Sequence, residues 1–150
     1  MPDTGRIVAV CLSEKTGMVK TPVSAGTLVA DFGLEGDAHA GTPKRQVSLL
    51  CMQSIAKMRG KGMDLAPGDF AENLTVEECG PDVLVLGATL QLQRGPVLEV
   101  TQIGKECHAG CAIREQIGDC VMPREGVFAR VVIGGEVRPG DSFKVISHDD

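Results

Sequence analysis

Four residues with nucleophilic or metal-binding side chains fall within fourteen positions in the segment GKECHAGCAIREQIGDC, residues 104–120: Cys107, His108, Cys111 and Cys120. Cys107 follows an apolar, β-branched run at 97–103. It precedes CAIREQI, whose composition and terminating Gly118 read as a short helix over 111–117. A cysteine between a strand end and a helix start sits where unpaired backbone N–H groups favour the thiolate, and Lys105 and His108 add positive charge. A thiolate is both a nucleophile and a soft-metal ligand. Three readings of the cluster compete. Burial as a small hydrophobe suits Cys11, Cys51 and Cys79, but Cys107 is flanked by Gly104, Lys105, Glu106 and Gly110, which are not core residues. A zinc site is the second, although adjacent ligands such as Cys107 and His108 strain tetrahedral geometry and the familiar knuckle spacings are missing. A Cys-x-x-Cys redox pair is absent. The third and favoured reading is an active Cys107 thiolate that carries sulfur or ligates a transition metal.

One thiolate does not by itself hold a large anionic ligand, so further candidates are sought elsewhere. Asp37 and His39 lie in GLEGDAHAG, where Gly33, Gly36 and Gly41 make a turn-rich loop whose backbone N–H groups can approach a ligand. The alternative is that Asp37 caps a turn and His39 bonds to backbone. Arg45, at the start of RQVSLL, and Arg124, in MPREG, can clamp a phosphate, or else be ordinary surface arginines. Asn73 in FAENLTV can donate and accept in a pocket, or mimic backbone beside a turn. Asp37, His39 and Arg45 are expected to line one pocket with Cys107.

The elements that must position these residues are mostly strands. Nineteen glycines and eight prolines punctuate short apolar runs, the pattern of many turns and strands and not of a helical bundle. Strands are expected near 6–12, 18–23, 45–50, 71–77, 83–92, 96–103, 127–133 and 142–147, and a helix over MQSIAKMR, residues 52–59. So many strands with a few short helices favour a closed or nearly closed β-barrel, because closure removes unpaired edges. The Pro-Gly-Asp triplets at 67–69 and 139–141 read as type II turns, and Gly134-Gly135 as a hairpin after the strand at 127–133.

Composition bounds the rest. A chain of 150 residues that is 43% hydrophobic and 23% charged is one globular domain, spanning 1–150. With no Trp or Tyr and only four Phe, it has no stacking platforms, and its net charge of −5 supplies no basic groove, so nucleic acid is not an expected partner. No run approaches the ~20 apolar residues of a membrane helix. The first residues, with Asp3 and an apolar run only from Ile7 to Leu12, do not read as an export signal. A cytoplasmic, reducing location is therefore expected, and the six cysteines are read as thiols.

The blocks GLEGDAHAG (33–41), RQVSLL (45–50), PGDFAENLTVE (67–77), EVTQIGKECHAGCAIREQIGDCVMPREGVFARV (99–131) and GGEVRPGD (134–141) occur in an order that resembles the MOSC domain family, named for the C-terminal domain of molybdenum cofactor sulfurases, and in particular its short stand-alone bacterial members. The resemblance implies a β-barrel-like fold and places the family's cysteine, five residues after the Gln of a Val-[Ser/Thr]-Gln strand end, on Cys107. It implies that this cysteine binds molybdenum cofactor (molybdopterin) or accepts sulfane sulfur from a pyridoxal-phosphate-dependent cysteine desulfurase. No pyridoxal phosphate domain is present in the sequence, so that cofactor would sit on a separate partner. The implied partners are such a desulfurase or molybdenum-cofactor enzymes. Family members that reduce N-hydroxylated compounds use the cysteine as a molybdenum ligand; this chain has Gly-Lys-Glu-Cys-His in place of their Arg-x-Pro-Cys. That activity is one alternative to sulfur transfer, and a non-catalytic metal-binding or interaction module is another.

Overall fold

The structure is a computed structural model that describes residues 3–14, 20–38, 40–41, 46–59, 72–78, 84–103 and 126–146. Its strands are β1 (Asp3–Leu12), β2 (Thr21–Val23), β3 (Gly26–Val29), β4 (Gly33–Leu34), β5 (Val47–Cys51), β6 (Leu74–Glu77), β7 (Thr89–Leu92), β8 (Val97–Ile103), β9 (Val127–Ile133), β10 (Gly135–Val137) and β11 (Ser142–Ile146), with one helix, α1 (Met52–Arg59), between β5 and β6. Seven strands close into a barrel in the order β1-β11-β7-β8-β9-β5-β6, with β6 pairing back to β1. β2 extends the sheet from β1, and β10, β3 and β4 form a small second sheet. The pairings are antiparallel except for β5 with β6, which are parallel because α1 carries the chain back between them.

Alternation along the strands builds the interior. Leu98 and Val100 on β8, Leu90 and Leu92 on β7, and Phe143 and Val145 on β11 point inward, while Gln91, Ser142 and Lys144 between them face solvent. β1 breaks this period with a bulge between Ile7 and Ala9, so that Ile7 and Val10, three positions apart, both enter the core. β5 differs again: Val47, Leu49 and Cys51 face the core, and Ser48 and Leu50 on the opposite face are also buried. The wall formed by β5, Leu74–Val76 of β6 and Ala9–Cys11 of β1 is thus buried on both faces. Its outer side holds Leu50 and the buried polar side chains of Ser48, Asn73 and Thr75, with Ile55 and Ser54 of α1 also fully buried.

Cys11 and Cys51 are 0% and 1% exposed, in agreement with their reading as buried thiols. The turn at Arg138–Asp141 is the expected type II turn: Gly140 has φ +94° and the Asp141 N–H donates to the Arg138 carbonyl. Two expectations are corrected. The strand foreseen from 83 begins only at Thr89, because the Ala88 N–H donates to the Val85 carbonyl and closes a turn over 85–88. Gly134-Gly135 is not a hairpin turn, since β10 leaves β9 and pairs with β3 instead. Strands β3, β4 and β10, of two to four residues each, have no periodic signal to betray them. The helix foreseen over 111–117, the turn at 67–69 and Cys79 lie outside the described residues.

Gly5 faces Phe143 across the β1–β11 pairing, and a Cβ at position 5 would fall inside contact distance of the Phe143 ring. Because that ring is 2% exposed and packed in the core, Gly5→Val is expected to cost about 1–3 kcal/mol, the range for overpacking. Urea unfolding of the variant checks this.

Candidate functional site

The glycine-rich loop is built onto the end of β1. β3 and β4 form a short hairpin, with Leu28 opposite Leu34 and Val29 opposite Gly33. Its turn places Asp31 at φ +53°, a conformation that Asp tolerates better than most residues. Gly33, at φ +134°, passes so close to the next segment that a Cβ there would lie 2.6 Å from the Gln46 carbonyl oxygen, so only glycine fits. The chain then turns: the Asp37 N–H donates to the Leu34 carbonyl, the Ala38 N–H to the Ser13 carbonyl, and the Gly41 N–H to the Phe32 carbonyl.

The Asp37 side chain points into the protein. Its Oδ1 accepts from the Ser13 N–H at 3.0 Å and from Lys20 Nζ at 2.7 Å, and both charged side chains of this pair are 0% exposed. Lys20 Nζ also donates to Ser13 Oγ at 3.2 Å. The carboxylate is therefore engaged by a fully buried cation and by the backbone where the chain leaves β1.

Asn73 joins three strands where β6 begins. Its Oδ1 accepts from the Ser48 N–H (2.9 Å) and Ser48 Oγ (3.2 Å), and its Nδ2 donates to the Cys11 carbonyl (3.0 Å). The Cys11 N–H donates to the Asn73 carbonyl, and the Asn73 N–H to the Ser48 carbonyl. This side chain stands in for ladder bonds between β5 and β1, the backbone-mimic role open to it from sequence. Asn73→Ala would leave the Ser48 N–H without this acceptor and the Cys11 carbonyl without this donor, and is expected to cost about 1–3 kcal/mol for each buried group left unsatisfied. Asn73→Asp should not rescue the loss, because it turns a carboxylate oxygen toward the Cys11 carbonyl. Chemical unfolding of both variants measures it.

The structure brings Asp37 and Asn73 together at one end of β1, on Ser13 and Cys11 respectively. Cys107, His39, Arg45 and Arg124 lie outside the described residues, as do His108, Cys111 and Cys120. Their neighbours in the chain are placed. Gln102 and Ile103, the last residues of β8, pair with Phe128 and Val127 of β9, so both ends of the stretch 104–125 depart from adjoining strands. Phe128 pairs in turn with Ser48. One lateral row therefore runs Gln102, Phe128, Ser48, Asn73, Cys11 across four strand boundaries. Gln46, next to Arg45 in the chain, is 3% exposed; its Oε1 accepts from the Val131 N–H and its Nε2 donates to Asp31 Oδ1.

Three residues of this region escaped the sequence reading. Lys20 is fully buried, and its only signal was a cation inside an apolar stretch, MVKTPV. Gln46 carried no signal. Glu72, 0% exposed, accepts a 2.6 Å hydrogen bond from Thr75 Oγ1. Among the described residues, no cluster of three or more His, Cys, Asp or Glu side chains could hold a metal ion, and no helix is long and apolar enough to cross a membrane.

Comparison with known proteins agrees with this architecture. A family model described as MOSC domain matches residues 36–144. The crystal structure of the YuaD protein from Bacillus subtilis is similar over 99% of this chain and 98% of its own, with a TM-score of 0.80 and 18% identity. YiiM from Geobacillus stearothermophilus is similar over 95% of this chain and 75% of its own, with a TM-score of 0.73 and 19% identity. YiiM from Escherichia coli covers 95% of this chain and 70% of its own, with a TM-score of 0.66 and 17% identity. At such identities the likeness establishes the fold. No curated protein sequence matches the chain.

Proposed function

Since the chain belongs to the MOSC domain family, we propose that it binds molybdenum cofactor or carries sulfane sulfur on Cys107, in cofactor maturation or sulfur transfer. The observation that carries this reading is the family match itself, which runs from Gly36 to Lys144 and so includes Gly36–Gly41 of the glycine-rich loop and Cys107. The donor set fits the group by its chemistry. A cysteine thiolate is a soft ligand for molybdenum, and the guanidinium groups of Arg45 and Arg124 suit the phosphate of a pterin cofactor. The cofactor, when bound, would supply a redox-active metal. The chain's own part is to present a thiolate, to neutralise the phosphate, and to hold the loop of Gly33 to Gly41 in a fixed path against β1 and Gln46.

As a sulfur carrier the protein needs no oxidant. The Cys107 thiolate attacks the terminal sulfur of a persulfide on a cysteine desulfurase. A new S–S bond forms on Cys107, the donor's S–S bond breaks, and the donor cysteine leaves as a thiolate. Pyridoxal phosphate stays on the desulfurase. The partners of this reading are that desulfurase and the molybdenum-cofactor enzymes that receive the product, all in the cytoplasm.

Protein made in a host competent for molybdenum cofactor synthesis tests the proposal. It is expected to contain pterin and molybdenum, or to gain the mass of one sulfur atom on Cys107 when incubated with a desulfurase and cysteine, a gain reversed by a thiol reductant. Protein with neither property overturns it. Limited alkylation provides a further check: Cys107 should be modified first, ahead of Cys11 and Cys51, which are 0% and 1% exposed. Preferential adducts on those two would remove the thiol assignment.

A further inference from the structure

Two connections that are far apart in sequence meet on one carboxylate. The chain leaves β1 at Ser13 and re-enters the sheet at Lys20, just before Thr21 of β2 pairs with Leu12. Asp37 Oδ1 grips both ends of that excursion, accepting from the Ser13 N–H and from Lys20 Nζ, and Lys20 Nζ closes the triangle on Ser13 Oγ. Next to it, the Ala38 N–H donates to the Ser13 carbonyl at 2.8 Å. An ion pair excluded from water is a poor way to gain stability, because an apolar pair of similar volume does as well or better. What it offers is geometry: a short charge-assisted bond has a defined length and direction. The surface pairs of this protein, such as Arg6 with Glu78, at 55% and 59% exposure, have no such constraint.

We propose that Lys20 is a positioning residue for the candidate site: through Asp37 it locks the 33–41 loop to the β1–β2 connection, and Asp37 acts through the loop's path and not as a contact to the ligand. The inference rests on the cofactor-binding reading above, since it assigns what the loop is positioned for. Lys20 had no part in that reading.

The test uses Lys20→Met, the double variant Lys20→Met with Asp37→Leu, and Asp141→Ala as a destabilised control in the turn before β11. Each full chain is made in the cofactor-competent host, and three quantities are read: melting temperature, pterin per chain, and amide exchange of Ser13, Asp37 and Ala38. The double variant, with no unpaired charge, should regain most of the melting temperature lost by Lys20→Met. Its pterin content should stay at least tenfold below wild type and its three amides exchange at least tenfold faster. Asp141→Ala should lose melting temperature and keep its pterin. Wild-type occupancy and exchange in the double variant would overturn the proposal. So would a folded Lys20→Met protein with full pterin beside a double variant with none, because Asp37 would then touch the ligand itself. If Lys20→Met does not fold, the double variant carries the test alone. If wild-type protein holds no pterin, the cofactor reading fails separately, and unchanged exchange at the three amides in the double variant would still overturn the lock.

Discussion

Lys20→Met is expected to destabilise the protein by about 3–5 kcal/mol, the range for removing one partner of a buried ion pair. The physical cause is the carboxylate left behind: Asp37 stays fully buried, keeps the Ser13 N–H, and loses the cation 2.7 Å away. Domains of this size have total stabilities of about 5–15 kcal/mol, so a large share would go in one substitution. Exposure decides the contrast with other ion pairs. Arg130→Ala, whose partner Glu99 is reached at 2.7 Å but with both side chains partly open to water, should change stability by about 1 kcal/mol or less. Guanidinium chloride unfolding of the two variants side by side checks both values. Similar losses would mean that the Lys20 site is wet enough to solvate the carboxylate.

Cys107→Ser is expected to abolish sulfur acceptance and molybdenum ligation altogether, because a serine hydroxyl is neither a nucleophile toward persulfide sulfur at neutral pH nor a soft ligand. The melting temperature of this variant should stay near that of wild type. Cys11→Ser and Cys51→Ser should behave oppositely. Both thiols are buried, Cys51 within the barrel core, so exchanging them for hydroxyls should lower stability by about 1–3 kcal/mol, the cost of burying a polar group poorly, while sulfur acceptance persists. Intact mass after incubation with a desulfurase and cysteine, measured alongside thermal melts, separates the two classes. Sulfur uptake by the Cys107→Ser protein would move the chemistry to another thiol.

The fold was readable wherever a segment is long enough to show its period. β8, β9, β11 and α1 lie within a residue or so of their expected spans, because alternation over five to seven residues, or helical spacing closed by glycine, is a local property. β3, β4 and β10 were not readable. Two to four residues carry no period, and these strands exist because the β3–β4 hairpin is pinned to Gln46 and Val131 by contacts remote in sequence.

The same division runs through the candidate site. Residue type alone marked Asp37 and Asn73 as groups that need partners, and the glycines of 33–41 as a chain making tight turns. Type and spacing also singled out Cys107 as the thiol to explain. Sequence could not say where Asp37 points, since that depends on Lys20, seventeen positions earlier and exposed by every prior for its type. Nor could it say that Asn73 would be spent on Ser48 and Cys11, twenty-five and sixty-two positions away. Closing the barrel brings β1, β5 and β6 side by side, α1 packs against β5 and β6 from outside, and in a space without water each polar group must find its partner in the protein. Local sequence determined which residues had to be satisfied; only the packed tertiary structure, barrel and surrounding loops together, decided by what.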